Sequence, residues 1–376
     1  MSRAPLSVLD LVPVVSGETG ADALRHSVDL ARETERLGYA RYWVAEHHLN
    51  PGVAGTSPAV VIALLAGATS TIRVGSGAVL LGHRTALNTI EEFGLLDAAY
   101  PGRIDLGVGR SGGKPPSSAL ADEPPVALVD GRTPEGLLVP PKVSVERLLK
   151  SPRFALQQAL LKARGRPVRR LRRADSTTSS PSSPAPGCRA TACPPGWSPV
   201  RARTCSLWVL GSSGGESAQV AGKRGLRFAT NYHVNPAGVL EAAAAYRAAF
   251  EPSDVLAAPH VAVSADVVVA EDEATAREPG HRLRPVGAQH PHRRGRHPVP
   301  HPGGGAGLGV DRGGPGPGAG PPRHPVRRNT RPGRRPAWRS SSARSARTSL
   351  VVTTITHDHA DRVRSYALLA EEWSRR

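Results

Sequence analysis

The chain has 376 residues, 39% of them hydrophobic, enough for one large core, and a formal charge of +18. That charge suggests an anionic partner, but residues 163–205 hold +8 of it and residues 279–349 hold +14, so the rest carries −4 and a nucleic-acid partner is disfavoured. Three cysteines, an odd number, argue against a disulfide framework, and no apolar run approaches the roughly 20 residues of a membrane-crossing helix.

Residues 6–12 form a short apolar run with no small-residue cleavage site, a first strand rather than a secretion signal, which points to the cytoplasm. Residues 22–37 are amphipathic, with Leu24, Val28, Ala31 and Glu35 at helical spacing and Gly38 as a stop. A strand at 41–45, a buried helix at 58–70 opened by Pro58, a strand at 73–81, a helix at 86–100 and a strand at 103–109 follow. Residues 163–205 break this pattern. They show no periodicity and contain Cys188, Cys193 and Cys205, whose Cys-x4-Cys spacing lacks the second pair that a zinc site needs. Strands at 207–211, 226–231 and 260–270 then alternate with helices at 216–224 and 236–250. A second break at 279–349, rich in Arg, Pro and Gly, precedes a last strand at 350–355 and a helix at 358–373.

Eight strands, mostly followed by helices, imply parallel strands with helical crossovers. The expected fold is α/β, a (β/α)8 TIM barrel forming a single domain over 1–376. A doubly wound open sheet is the alternative, disfavoured because no Gly-x-Gly-x-x-Gly follows the first strand. Both breaks fall where helices are due, between strands four and five and between seven and eight. All eight strands survive while the helical ring is disrupted.

Chemistry in such a barrel belongs at the C-terminal strand ends. Arg110 ends the fourth strand in GVGRSGG, and GSSGGES (211–217) joins the fifth strand to a helix. Glycines let backbone N–H groups approach an anion, the helix N-terminus favours negative charge, and Ser213, Ser217 and Arg110 add donors. A plain turn and cap is the alternative reading of those glycines and serines. The second strand ends in YWVAEHH (42–48). Adjacent residues on a strand point to opposite sides, so only one of His47 and His48 faces the mouth, where it can act as acid or base. His357 and His359 flank Asp358 at the start of the last helix, with Asp358 near its cap, and no metal site is expected.

YWVAEHH, GSGAVLLGHR, PGRIDLGVGR, LGSSGGESA and VVTTITHDHADR, in this order, resemble the bacterial luciferase-like flavin-dependent monooxygenases. The resemblance covers 1–113, 206–278 and 350–373. It implies the (β/α)8 barrel, reduced FMN as cofactor and molecular oxygen as co-substrate. The implied chemistry adds oxygen to the reduced flavin, attacks a small organic substrate and loses water. It implies that His47 is the histidine assisting the peroxyflavin, that Arg110, Ser213, Gly214 and Ser217 bind the flavin phosphate, and that Gly77 and Ala78 form a strained backbone site under the flavin ring. It implies a separate flavin reductase as partner and leaves a homodimer open. Two other functions stay open: a deazaflavin-dependent reductase or dehydrogenase on the same barrel, and an Arg-rich nucleic-acid-binding protein on an inert one.

The two breaks read as out-of-frame translation. Residues 174–184 permit codons that, read two nucleotides later, give Gly-Leu-Asp-Asp-Leu-Val-Ala-Leu-Leu-Ala, a helix where the fourth barrel helix is due. Residues 292–306, read one nucleotide later, yield a segment with a Thr-Pro-Glu-Glu helix start. The alternative is genuine disordered arms that bind RNA or DNA electrostatically, although Trp197 and Trp338 are too isolated to offer base stacking.

Overall fold

The computed structural model describes residues 3–110, 204–272 and 347–375, with the short pieces 131–133, 137–139, 152, 155–156 and 159–160. Ser111, the expected missing helices and nearly all of both compositional breaks lie outside the described residues. The elements are β1 (Leu6–Asp10), α1 (Gly20–Arg36), β2 (Arg41–Val44), α2 (Pro58–Ala68), β3 (Arg73–Ser76), β4 (Val79–Leu80), α3 (Ala86–Ala99) and β5 (Ile104–Gly109). Then come β6 (Ser206–Leu210), α4 (Glu216–Lys223), β7 (Arg227–Asn231), a 3-10 turn (Pro236–Gly238), α5 (Val239–Ala248), β8 (His260–Asp266), β9 (Arg347–Thr353) and α6 (His359–Arg375). Strand order is β3-β2-β1-β9-β8-β7-β6-β5, and β5 pairs back onto β3, so the sheet closes. Every pairing within it is parallel. The structure is therefore the expected eight-stranded parallel barrel with outer helices.

Strand alternation sorts the core into two layers. Leu350 and Val352 of β9 face outward, in one cluster with Tyr366 of α6 and with Leu30 and Ala31 of α1. Val351 faces inward with Leu9, Trp43, Trp208, Ala229 and Ala262. Thr19 starts α1 through a capping box: Asp22 N–H donates to its hydroxyl oxygen and its own N–H donates to the Asp22 carboxylate at 2.8 Å. At the N-terminal end of the barrel, buried Asp105 accepts from Arg41 Nε (2.9 Å), Trp43 Nε1 (3.0 Å) and Arg73 Nε (2.8 Å). This closes the floor opposite the strand ends that carry the candidate site.

Residues 73–81, expected as one strand, form two pieces of one barrel strand. Val74 and Gly75 face Ile104 and Asp105, whereas Val79 and Leu80 face Val108 and Gly109. Residues 76–78 thus stand opposite 106 and 107 alone, which is a β-bulge centred on Gly77, and the Gly77–Ala78 peptide is cis. Just below, a Cβ on Gly107 would strike the Ser76 carbonyl oxygen and lie 3.0 Å from Leu210 Cδ1. Backbone of a neighbouring strand cannot yield as a side chain can. Gly107→Ala is therefore expected to cost about 1–3 kcal/mol, read as a fall in the urea midpoint; an unchanged midpoint would reject the close approach.

Composition draws the edges of the two breaks too wide. Thr204 is tied to helix α3, its N–H donating to Asp97 Oδ2 at 2.9 Å. The last strand begins at Arg347 rather than Leu350, with Arg347, Thr348 and Ser349 paired to His260, Val261 and Ala262. Parallel pairing uses backbone groups, and Ser349 Oγ meets His260 Nε2 at 2.9 Å, so this polar start needs no apolar pattern. The strand expected at 260–270 stops at Asp266, and the helix expected at 236–250 opens with the 3-10 turn.

Candidate active site

The C-terminal mouth brings the expected anion-binding residues together. Arg110 follows β5, and its guanidinium pairs at 2.6 Å with Glu216, the first residue of α4. Ser213 and Gly214 lie in the turn just before that helix, and Ser217 lies in its first turn. Gly214 N–H donates to Glu241 Oε1 at 3.1 Å, and a Cβ on Gly214 would come within 2.8 Å of that oxygen. Asn235 Nδ2 donates to the Ser212 carbonyl at 2.7 Å and braces the turn from the β7 side. Carboxylates therefore sit on two donors of the turn, Arg110 and Gly214 N–H. Donors that hold carboxylates suit a phosphate equally well. Both charges of the Arg110–Glu216 pair are exposed, and such a pair gives way easily to a better anion.

Ala78 belongs to the same arc, since a Cβ on Gly109, the residue before Arg110, would meet Ala78 Cβ at 3.2 Å. Gly77 lies one layer in, above Trp43 and Leu9. Buried Glu46 holds this edge from β2: it accepts from Leu80 N–H at 2.8 Å and pairs with His48 Nε2 at 2.8 Å.

The two adjacent histidines have different surroundings. His48 is committed to Glu46 and packs against His83 in a tilted arrangement, with ring centroids 4.7 Å apart. His47 donates its backbone N–H to the Gly55 carbonyl at 2.8 Å, and its ring is close enough to His233 to act on it electrostatically. His233 stands two residues after β7, with Nδ1 2.6 Å from Ser264 Oγ. Burial first, then the His47 imidazole, pushes the His233 pKa down to about 4, so His233 is neutral at pH 7. His357 and His359 do not gather a metal set: His359 pairs with Asp29 at 2.7 Å, Asp358 Oδ1 caps α6 by accepting from Ala360 N–H, and no cluster of three metal-ligating side chains occurs among the described residues.

Sequence reasoning missed His233 and Asp266. The first sits in a polar run, NYHVN, directly after a barrel strand. The second is a single acid inside the apolar strand HVAVSADVVVA, on the same phase as inward-facing Ala262. A count of inward phases carried to the strand ends would have raised both. Two shallow clefts elsewhere, near Gln219 and Phe250 and near Leu24 and Arg32, lie on the helical shell and touch no strand end.

A closed parallel barrel with a glycine-rich turn, an arginine and an imidazole gathered at its C-terminal mouth is an enzyme-type scaffold. A family model described as luciferase-like monooxygenase matches residues 7–139. The chain is 35% identical over 273 residues to the uncharacterized protein YceB of Bacillus subtilis, covering 73% of this chain and 71% of that one. It is 50% identical over 108 residues, 29% of its length, to the N-acetyl-S-alkylcysteine monooxygenase of the same organism, whose length the match covers to 32%. Among solved structures it is similar to apo-MsnO8, with 28% identity, a TM-score of 0.57, and coverage of 99% of this chain and 98% of that one. The chain belongs to the luciferase-like monooxygenase family. It spans about two thirds of the length of several relatives that it matches, from 66% to 71%.

Proposed function

We propose that this protein is a flavin-dependent monooxygenase that uses reduced FMN and molecular oxygen on a small organic substrate. The convergence of Arg110 with the 213–217 turn at the start of α4 carries the reading. These residues would hold the flavin phosphate, and Gly77 and Ala78 would border the ring. When bound, the reduced flavin supplies the electrons that activate oxygen. His47 would give or take the proton that the oxygen chemistry needs, and the packed apolar interior of Leu9, Trp43 and Trp208 would exclude bulk water from beneath the site. The name of the 50%-identical relative makes N-acetyl-S-alkylcysteines the first substrates to try. A separate reductase in the cytoplasm is the proposed source of reduced flavin.

Arg110→Ala tests this reading. It is expected to weaken FMN by about tenfold or more and leave riboflavin unchanged, because only FMN carries the phosphate. Fluorescence titration with both flavins reads the difference; equal losses would remove Arg110 from the phosphate role. Exposed Val60 and Leu64 on α2 and Leu87 and Leu95 on α3 support a homodimer, which sedimentation velocity checks. No helix among the described residues is long and apolar enough to cross a membrane.

We also infer that residues between 163 and 203 and between 279 and 346 derive from out-of-frame translation. Resequencing the gene tests this, and clean DNA without compensating nucleotide changes near those edges counts against a sequencing error.

A further inference from the structure

The arc of the mouth formed by β7, β8 and β9 lies across from the proposed flavin arc and carries polar groups with no partner among the described residues. Asn231 ends β7, Asp266 ends β8 and Thr353 ends β9. All three are on the inward phase, in step with Ala229, Ala262 and Val351 of the apolar interior. Register joins them: Asn231 pairs with Ser264, and Asp266 pairs with Thr353. Asn231 Oδ1 and Thr353 Oγ1 are buried and make no hydrogen bond among the described residues. Neighbouring inward positions already have partners: Ser264 Oγ holds His233 Nδ1, and Ser349 Oγ meets His260. Ser7 Oγ and Trp208 Nε1 also lack a partner among the described residues, but they lie within β1 and β6, whereas Asn231 Oδ1 and Thr353 Oγ1 stand at neighbouring strand ends.

Asp266 stands in the middle of this arc. Its side chain keeps some exposed surface, yet burial pushes its carboxyl up to about 7, with no cation beside it among the described residues. His233 follows β7, the strand beside it, and is held by Ser264 of β8. Outside, Arg364 is taken by Glu271 at 2.7 Å. Buried polar groups are normally satisfied, and a carboxyl held near neutrality without a partner is poised for one. Asp266 and Asn231 Oδ1 offer acceptors, and Thr353 can act as one. The missing partner is therefore a donor, and the donor that best suits a carboxylate is a cation.

We propose that Asn231, Asp266 and Thr353 form a substrate subsite that takes a donor group, an ammonium in preference to a hydroxyl, at the end of the substrate away from the reacting atom. That placement rests on the flavin reading, which puts the reacting atom on the opposite arc; the donor preference itself does not. A free carboxylate on the substrate is repelled there. A substituted cysteine would accordingly turn its nitrogen, not its carboxylate, toward Asp266.

Calorimetry on the full chain, with and without FMN, tests the subsite using n-hexylamine, n-hexanol and n-hexanoate. Hexylammonium is expected to bind about tenfold or more tightly than hexanol, and hexanoate least tightly. Ammonium binding should release most of a proton at pH 6 and little at pH 8, because it draws Asp266 into its charged form; buffers of different ionisation enthalpy reveal this. Asp266→Asn should reduce hexylammonium to the level of hexanol and abolish the proton release. A wild-type protein with no amine preference, with a preference for hexanoate, or with no measurable binding of any of the three overturns the inference, and so does an Asp266→Asn variant that keeps the preference. The wild-type measurements decide the matter even if that variant fails to fold. Amine preference without FMN binding would leave the subsite standing and remove the flavin reading; FMN binding without amine preference would do the reverse.

Discussion

Arg362→Leu is expected to cost about 3–5 kcal/mol of stability, more than any other single change considered for this barrel. Arg362, on α6, is 3% exposed, and its Nη2 donates to fully buried Asp10 at 2.6 Å while its Nε donates to the Thr354 carbonyl at 2.8 Å. Asp10 ends β1 and also accepts from Ser27 at 2.5 Å, Tyr42 at 2.6 Å and Val12 N–H at 2.8 Å. One carboxylate thus ties the first strand, the first helix, the second strand and the last helix. Removing the cation strands that carboxylate in the core, where an unpaired charge is costly, whereas neutralising both partners is far milder. Asp10→Asn combined with Arg362→Leu should recover a large part of the loss. Urea unfolding followed by circular dichroism reads both, and single variants within about 0.5 kcal/mol of the parent would refute the account.

The same pair gives a direction with pH. Burial by itself would raise the Asp10 carboxyl, but the Arg362 guanidinium and the hydrogen bonds from Ser27 and Tyr42 outweigh it and hold Asp10 below the usual carboxylate range. A folded-state pKa below the unfolded one means that the stabilisation is fully present above the unfolded value of about 3.9 and fades as pH falls through the folded value. Acid should therefore weaken the parent more steeply than the doubly neutral variant.

His47→Ala is expected to slow oxygenation of N-acetyl-S-alkylcysteine, or of whichever substrate a panel identifies, by about 10²- to 10⁴-fold, with FMN affinity unchanged. His48→Ala is the control, since His48 is turned to Glu46 rather than to His233. The rate of product formation under a fixed supply of reduced FMN measures both. Imidazole added to His47→Ala should restore part of the rate. A larger loss in the His48 variant would reverse the assignment of the two rings.

Much of this was legible along the chain because the signals are local. Apolar runs of strand length, helical spacing with stops such as Gly38, and the count of β-then-α units led to the barrel. Glycines and serines before α4, with Arg110 at a strand end, marked a turn suited to an anion. The edges of the compositional breaks misled because backbone pairing, which extends β9 back to Arg347, leaves no trace in hydropathy. The bulge at Gly77 was invisible for a related reason: it is a mismatch of one residue between two strands, and neither strand alone contains it.

The sequence by itself determined the class of fold, the position of the glycine- and serine-rich turn before α4 and the point that only one histidine of the 47–48 pair can face the mouth, since each follows from residue type and spacing within a short window. Only the tertiary structure decided which histidine is committed to Glu46, that His233 lies near His47 although far from it in the chain, and that Asp266 ends its strand without a partner among the described residues. Those facts depend on closure of the barrel. Closure brings separate strand ends to one mouth, and burial there sets which polar groups are satisfied and which are left for a ligand.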